Sequence, residues 1–112
     1  MNILILGDVM GSSGRIIVKK NLSNILKKNS INFSILNGEN AADDGRGITK
    51  NIAEDFFSQG IDVITSGNHI WDKKEITNYI DTEKRLLRPA NLAEGSPCLL
   101  YTSDAADDDH GV

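Results

Sequence analysis

An α/β fold built on a parallel sheet is what this chain predicts, and three observations carry it. Three short apolar runs, Asn2–Leu6, Asn32–Leu36 and Ile61–Thr65, are each followed within two residues by glycine and a polar side chain. Such β-branched-rich runs bounded by glycine have the signature of buried strands. Stretches with helical spacing of apolar residues lie after each of them. The resulting order, β-α-β-α-β-α, implies right-handed crossovers and hence a parallel sheet with flanking helices.

Each element has its own justification. The first run, NILIL, ends in Gly7-Asp8. Ser12 and Ser13 then offer caps for a helix over 14–28, with Ile17, Leu22, Ile25 and Leu26 mostly on one face. The second run, NFSIL, passes through Asn37 to Gly38-Glu39-Asn40. Thr49 is the expected cap of a helix over 50–59 that turns Ile52, Phe56 and Phe57 inward and stops at Gly60. The third run, IDVIT, passes through Ser66 to Gly67-Asn68-His69. Asp72 is the expected cap of a last helix over 73–80, packed through Ile76 and Tyr79. Arg88-Pro89-Ala90-Asn91 then reads as an extended segment fixed by its proline.

Composition narrows the class. A chain of 112 residues is enough for one domain, and 39% hydrophobic with 25% charged residues is ordinary for a soluble one. No apolar run approaches the roughly 18 residues of a membrane helix. The N-terminus has neither the basic region nor the small-residue cleavage site of a secretory signal. A single cysteine forms no internal disulfide, so the cytoplasm is the expected compartment. The net charge is −4, and residues 98–112 hold four aspartates and no Lys or Arg. Without that tail, 12 basic residues face 12 acidic ones, which is no footprint for nucleic acid.

In a parallel sheet all strands end at one edge, so Asp8, Glu39, Asn40, Asn68 and His69 converge where open α/β sheets hold their ligands. Singly, each is an ordinary turn or cap residue, and a lone histidine is usually structural. Three successive strand ends of glycine plus carboxylate or amide are hard to explain by turn chemistry. Oxygen donors with a nearby histidine suit Mn, Fe or Mg rather than a thiolate-bound ion. A pair of such ions activates water and clamps a phosphate, and a histidine beside them can protonate the leaving oxygen. The alternative is a non-catalytic nucleotide-binding α/β module. Its support is the glycine-rich stretch Gly7–Gly14 entering a helix, but the spacing is not GxGxxG and no Gly-Lys-Ser/Thr follows. That alternative leaves Asn68-His69 unexplained.

Four segments, ILGDVMGSSGR at 5–15, LNGENAADDGRGIT at 36–49, TSGNHIWDKKEI at 65–76 and LLRPANLAEGSP at 86–97, resemble the YmdB-like metallophosphoesterases. These form a branch of the calcineurin-like superfamily. Met10 stands where that superfamily usually has histidine, as suits the branch. The resemblance covers nearly all of residues 1–97 and implies the N-terminal half of a two-sheet sandwich flanked by helices. It implies a dinuclear centre, with iron first in order and manganese or magnesium compatible. The centre would hydrolyse phosphodiesters such as 2′,3′-cyclic nucleotides. Asp8 would bind one metal, Glu39 would bridge both, Asn40 and Asn68 would each bind one, and His69 would donate the proton. Further histidine ligands in the family come from a second half with no counterpart here, so this stretch alone is expected to be inactive. The resemblance is compatible with a homo-oligomer of the intact protein. Residues 98–112, CLLYTSDAADDDHGV, depart from the family, and CLLYTSDAAD resembles one frame of a translated sequencing adapter. They are expected to be a non-native tail, and Cys98 and His110 then carry no chemistry.

Overall fold

The computed structural model describes residues 1–89, with Trp71 and Asp72 described by their backbone alone. In chain order these residues form β1 (Ile3–Asp8), α1 (Gly11–Lys28), β2 (Phe33–Asn37), α2 (Lys50–Gln59), β3 (Val63–Thr65), a 3-10 helix (Asn68–Asp72), α3 (Ile76–Thr82) and β4 (Leu86–Leu87). The strands make one sheet in the order β1-β2-β3-β4, and every pair is parallel. The predicted fold class is therefore the observed one. The fourth strand lies just before the extended segment expected at 88–91, of which Ala90 and Asn91 lie outside the described residues. The expected boundary at Pro97, the tail, Cys98 and His110 lie outside them too.

Sequential strand order with right-handed crossovers puts the connecting helices on one face of the sheet. Burial alternates to match. Leu36 and Ser34 are buried, and Leu4 and Leu6 pack against the core, while Ile3 and Ile5 on the opposite face are 51% and 70% exposed. The core lies between this covered face and the helices and includes Leu22, Leu36, Phe56, Ile64, Ile76, Ile80 and Leu86.

The second helix matches its expected bounds. Thr49 Oγ1 accepts the Ile52 N–H at 3.2 Å, and Gly60 ends the helix at φ 114°. The other two helices differ from expectation at their starts. The first begins at Gly11, and Met10, its N-cap, makes no side-chain capping bond, so Ser12 and Ser13 lie inside the helix. Its first N–H is satisfied from elsewhere: Gly11, at φ 59°, donates to the Asn40 carbonyl at 2.9 Å. The third begins at Ile76 with Glu75 as N-cap, and Asp72 instead ends the 3-10 helix. That tighter turn starts where the Ile70 N–H donates to the Gly67 carbonyl at 3.0 Å, two residues after β3. Ile17, expected inward, is 62% exposed. The row that packs is Val18, Leu22 and Leu26, spaced by four, and Ile17 falls one position off it.

Tyr79 is buried in the core, and its hydroxyl has no hydrogen-bond partner among the described residues. Burial, with Glu83 and Glu54 nearby, pushes its pKa up to about 12. A buried hydroxyl without a partner costs stability, about 1–3 kcal/mol. Tyr79→Phe should therefore leave stability unchanged or raise it by up to ~1 kcal/mol in urea unfolding. A clear loss would show that the hydroxyl makes a favourable contact.

Candidate functional site

The bulge between β1 and β2 sets the position of the first carboxylate. Leu6 pairs with Leu36, but Asp8 rather than Gly7 pairs with Asn37. Gly7 is the extra residue, and it leaves Asp8 at the level of Asn37 and Thr65 on the neighbouring strands. From β2 the chain turns through Asn37, whose Oδ1 accepts the Glu39 N–H at 3.0 Å. This Asx turn holds Glu39 and Asn40 at the sheet edge. The Gly38 N–H donates to the Thr65 carbonyl at 2.8 Å, tying the loop to the end of β3.

The predicted residues meet in two groups. Asn40 Nδ2 lies 3.0 and 3.1 Å from the two oxygens of Asp8. Because a carboxylate only accepts, the amide nitrogen is fixed towards Asp8 and Asn40 Oδ1 is left as a donor for a cation. Across the edge, the Glu39 carboxylate lies against Gly67, next to Asn68. His69 follows on the 3-10 helix and is half-buried, with Asn68 exposed beside it. Among the described residues, no three His, Cys, Asp or Glu side chains form a group able to hold a metal ion. The donors present are two carboxylates and two amides, all hard oxygen ligands of the kind that suit Mg, Mn or Fe. They fit such an ion as a partial set.

Two ion pairs brace the loop that carries Glu39 and Asn40. Arg15 of α1 donates to the Ala41 carbonyl at 2.5 Å and to Asp43 at 2.7 Å. Lys73 reaches Asp44 at 2.7 Å, and this hydrogen bond lowers the Asp44 pKa, as does the Arg46 N–H. Arg15 and Asn37 were not singled out by sequence. The Asn-Gly pair at 37–38 signals a turn, whereas nothing local marks Arg15, which acts across 26 residues.

The three glycines after the strands have different reasons to be there. A methyl on Gly7 would meet nothing within 4 Å, whereas on Gly38 it would fall 2.9 Å from Ile64 and 3.0 Å from Ile48. Neither residue is at positive φ. Gly7→Ala should change stability by less than about 0.5 kcal/mol. Gly38→Ala should cost about 1–3 kcal/mol by overpacking. Equal midpoints in chemical denaturation would contradict that contrast.

A parallel sheet with carboxylates, amides and an imidazole along its C-terminal edge defines the class, an open α/β fold. The crystal structure of a novel phosphatase from Mycoplasma pneumoniae superposes with a TM-score of 0.76 at 36% identity, covering 81% of this chain and 32% of that one. A hypothetical protein of Thermus thermophilus superposes at 0.80 with 34% identity, covering 88% and 38%. The YmdB-like protein family model matches residues 4–107, and the chain belongs to that family. The 2′,3′-cyclic-nucleotide 2′-phosphodiesterase of Bacillus subtilis (strain 168) is 50% identical over 97 residues, 87% of this chain and 36% of that protein. The chain thus spans about a third of the length of the curated relatives it matches. No helix among the described residues is long and apolar enough to cross a membrane.

Proposed function

We propose that the chain contributes the first part of the active site of a metal-dependent phosphodiesterase acting on small phosphodiesters such as 2′,3′-cyclic nucleotides. One observation supports it above all: the Asp8–Asn40 pair and the Glu39 carboxylate against Gly67 come from three strand ends to one edge. The name of the Bacillus subtilis relative supports the substrate class. Asp8, Glu39, Asn40 and Asn68 would hold two ions, iron first, with manganese or magnesium also suited to oxygen donors. Bound metal supplies Lewis acidity and an activated water. Asp8 and Glu39 bring the negative charge that holds cations at the edge. Asn40 orients Asp8 through its amide. His69, one residue beyond Asn68, would pass a proton from its imidazole to the ribose oxygen that leaves when the P–O bond breaks.

A nucleotide-binding module without catalysis has less support, because the Gly11 N–H that would face a phosphate at the start of α1 is already given to Asn40. Metal analysis and a 2′,3′-cyclic nucleotide hydrolysis assay on the full gene product decide between the two. Stoichiometric mononucleotide binding without metal would sink the enzyme.

Residues 1–112 expressed by themselves should be inactive and prone to associate. The donors described are a partial set, and Ile3, Ile5, Met10, Ile16 and Ile17 are exposed. Unpaired edges and exposed apolar side chains favour association. A monodisperse, cooperatively melting and active preparation would refute this.

A further inference from the structure

We infer that Gly67 is a positioning residue for Glu39: the side chain missing at 67 is the space in which the Glu39 carboxylate sits. The contact is with the carboxyl group itself. A methyl carbon built on Gly67 would fall 2.5 Å from Glu39 Cδ and 2.7 Å from Oε1. Real side-chain carbons do not approach closer than about 3.0 Å, so the two cannot coexist as placed. The backbone at Gly67 has negative φ, −149°, so the requirement is for room and not for a left-handed conformation.

Glu39 cannot yield by shifting its main chain. Its N–H is held by Asn37 Oδ1 at 3.0 Å, and its carbonyl accepts the Gly47 N–H at 2.6 Å. The neighbouring Gly38 is tied to β3 at 2.8 Å. What can move is the flexible side chain, by rotation about its own bonds. A methyl at 67 therefore leaves the fold in place and swings the carboxylate out of the space beside residue 67. The proposal rests on the metal-holding role proposed for Glu39, and deepens it by naming what keeps that carboxylate in position.

The test uses the full gene product, with manganese as the probe in isothermal titration calorimetry. Gly67→Ala and Glu39→Ala should each weaken manganese binding about 10–100-fold, the usual loss when a group supporting a ligand is removed. The double variant should be no weaker than Glu39→Ala alone, because a carboxylate that is absent cannot be misplaced. The melting temperature of metal-free Gly67→Ala should stay near that of the parent, and the Glu39 side-chain carboxyl carbon should shift in its NMR spectrum.

Parental manganese binding by Gly67→Ala, alongside weakened binding by Glu39→Ala, overturns the proposal. So do additive losses in the double variant. Parental binding by Glu39→Ala overturns the metal role of Glu39 and the proposal with it, while a shifted carboxyl resonance would still record the contact. If Gly67→Ala does not fold, Gly67→Ala in the Glu39→Ala background decides. Recovered folding places the clash at Glu39, and continued unfolding overturns the proposal.

Discussion

His69→Ala should lower turnover of the full gene product by about 10²–10⁴-fold, the usual cost of losing a general acid, and leave its metal content unchanged. The expectation comes from a division of labour at the sheet edge. In the proposed site the carboxylates of Asp8 and Glu39 would carry the charge that retains cations, and each comes from a strand end or the turn after it. His69 stands instead on the 3-10 helix beyond Asn68. A donor acts on the leaving oxygen, so its loss should be smaller for a substrate whose leaving group needs no proton. A p-nitrophenyl ester compared with a cyclic nucleotide reads this directly. If the variant loses its metal as well, His69 is a ligand and its assignment is wrong.

Phe56→Ala should cost about 3–5 kcal/mol, a large part of the 5–15 kcal/mol that holds a typical domain together. Phe56 is 1% exposed, the largest of the fully buried side chains, and belongs to the same cluster as Leu36, Ile64 and Leu86 under the sheet. Its carbonyl also accepts the Gly60 cap and the Ile61 N–H that lead into β3. Truncation therefore loosens the platform from which Asn68 and His69 emerge. Urea unfolding should show a lower midpoint. A shift of less than ~1 kcal/mol would mean that the core closes over the vacancy.

Most of the architecture was legible because periodicity and glycine reported it directly. Three of the four strands start within the apolar runs, with β1 continuing to Asp8 and β2 to Asn37, and Thr49 and Gly60 bound the second helix as expected. What escaped notice depended on partners distant in sequence. Ser12 and Ser13 are good capping residues, yet α1 starts at Gly11 because the Asn40 carbonyl takes its first N–H. Ile17 fits a helical stripe as well as Val18 does, and only the position of the sheet chooses between them. Leu86–Leu87 is too short to stand out as a strand and is defined by pairing with Ile64 and Thr65. At the edge, the candidate residues were readable from their repeated phrase. The reasons for the glycines were not, since Gly7, Gly38 and Gly67 look alike in sequence and meet open space, two isoleucines and a carboxylate respectively.

The strand order has a temporal meaning during synthesis. Each strand pairs with the one made just before it, so the sheet can be laid down progressively as the chain leaves the ribosome, without waiting for a distant partner. Asp8 and Asn40 can meet once the first strand-helix-strand unit has emerged. Asn68 and His69 join only after β3 has docked. The edge is then built in chain order, the Asp8 and Glu39 carboxylates first and the His69 imidazole last. A nascent chain stalled between these points would carry the Asp8–Asn40 pair without the imidazole.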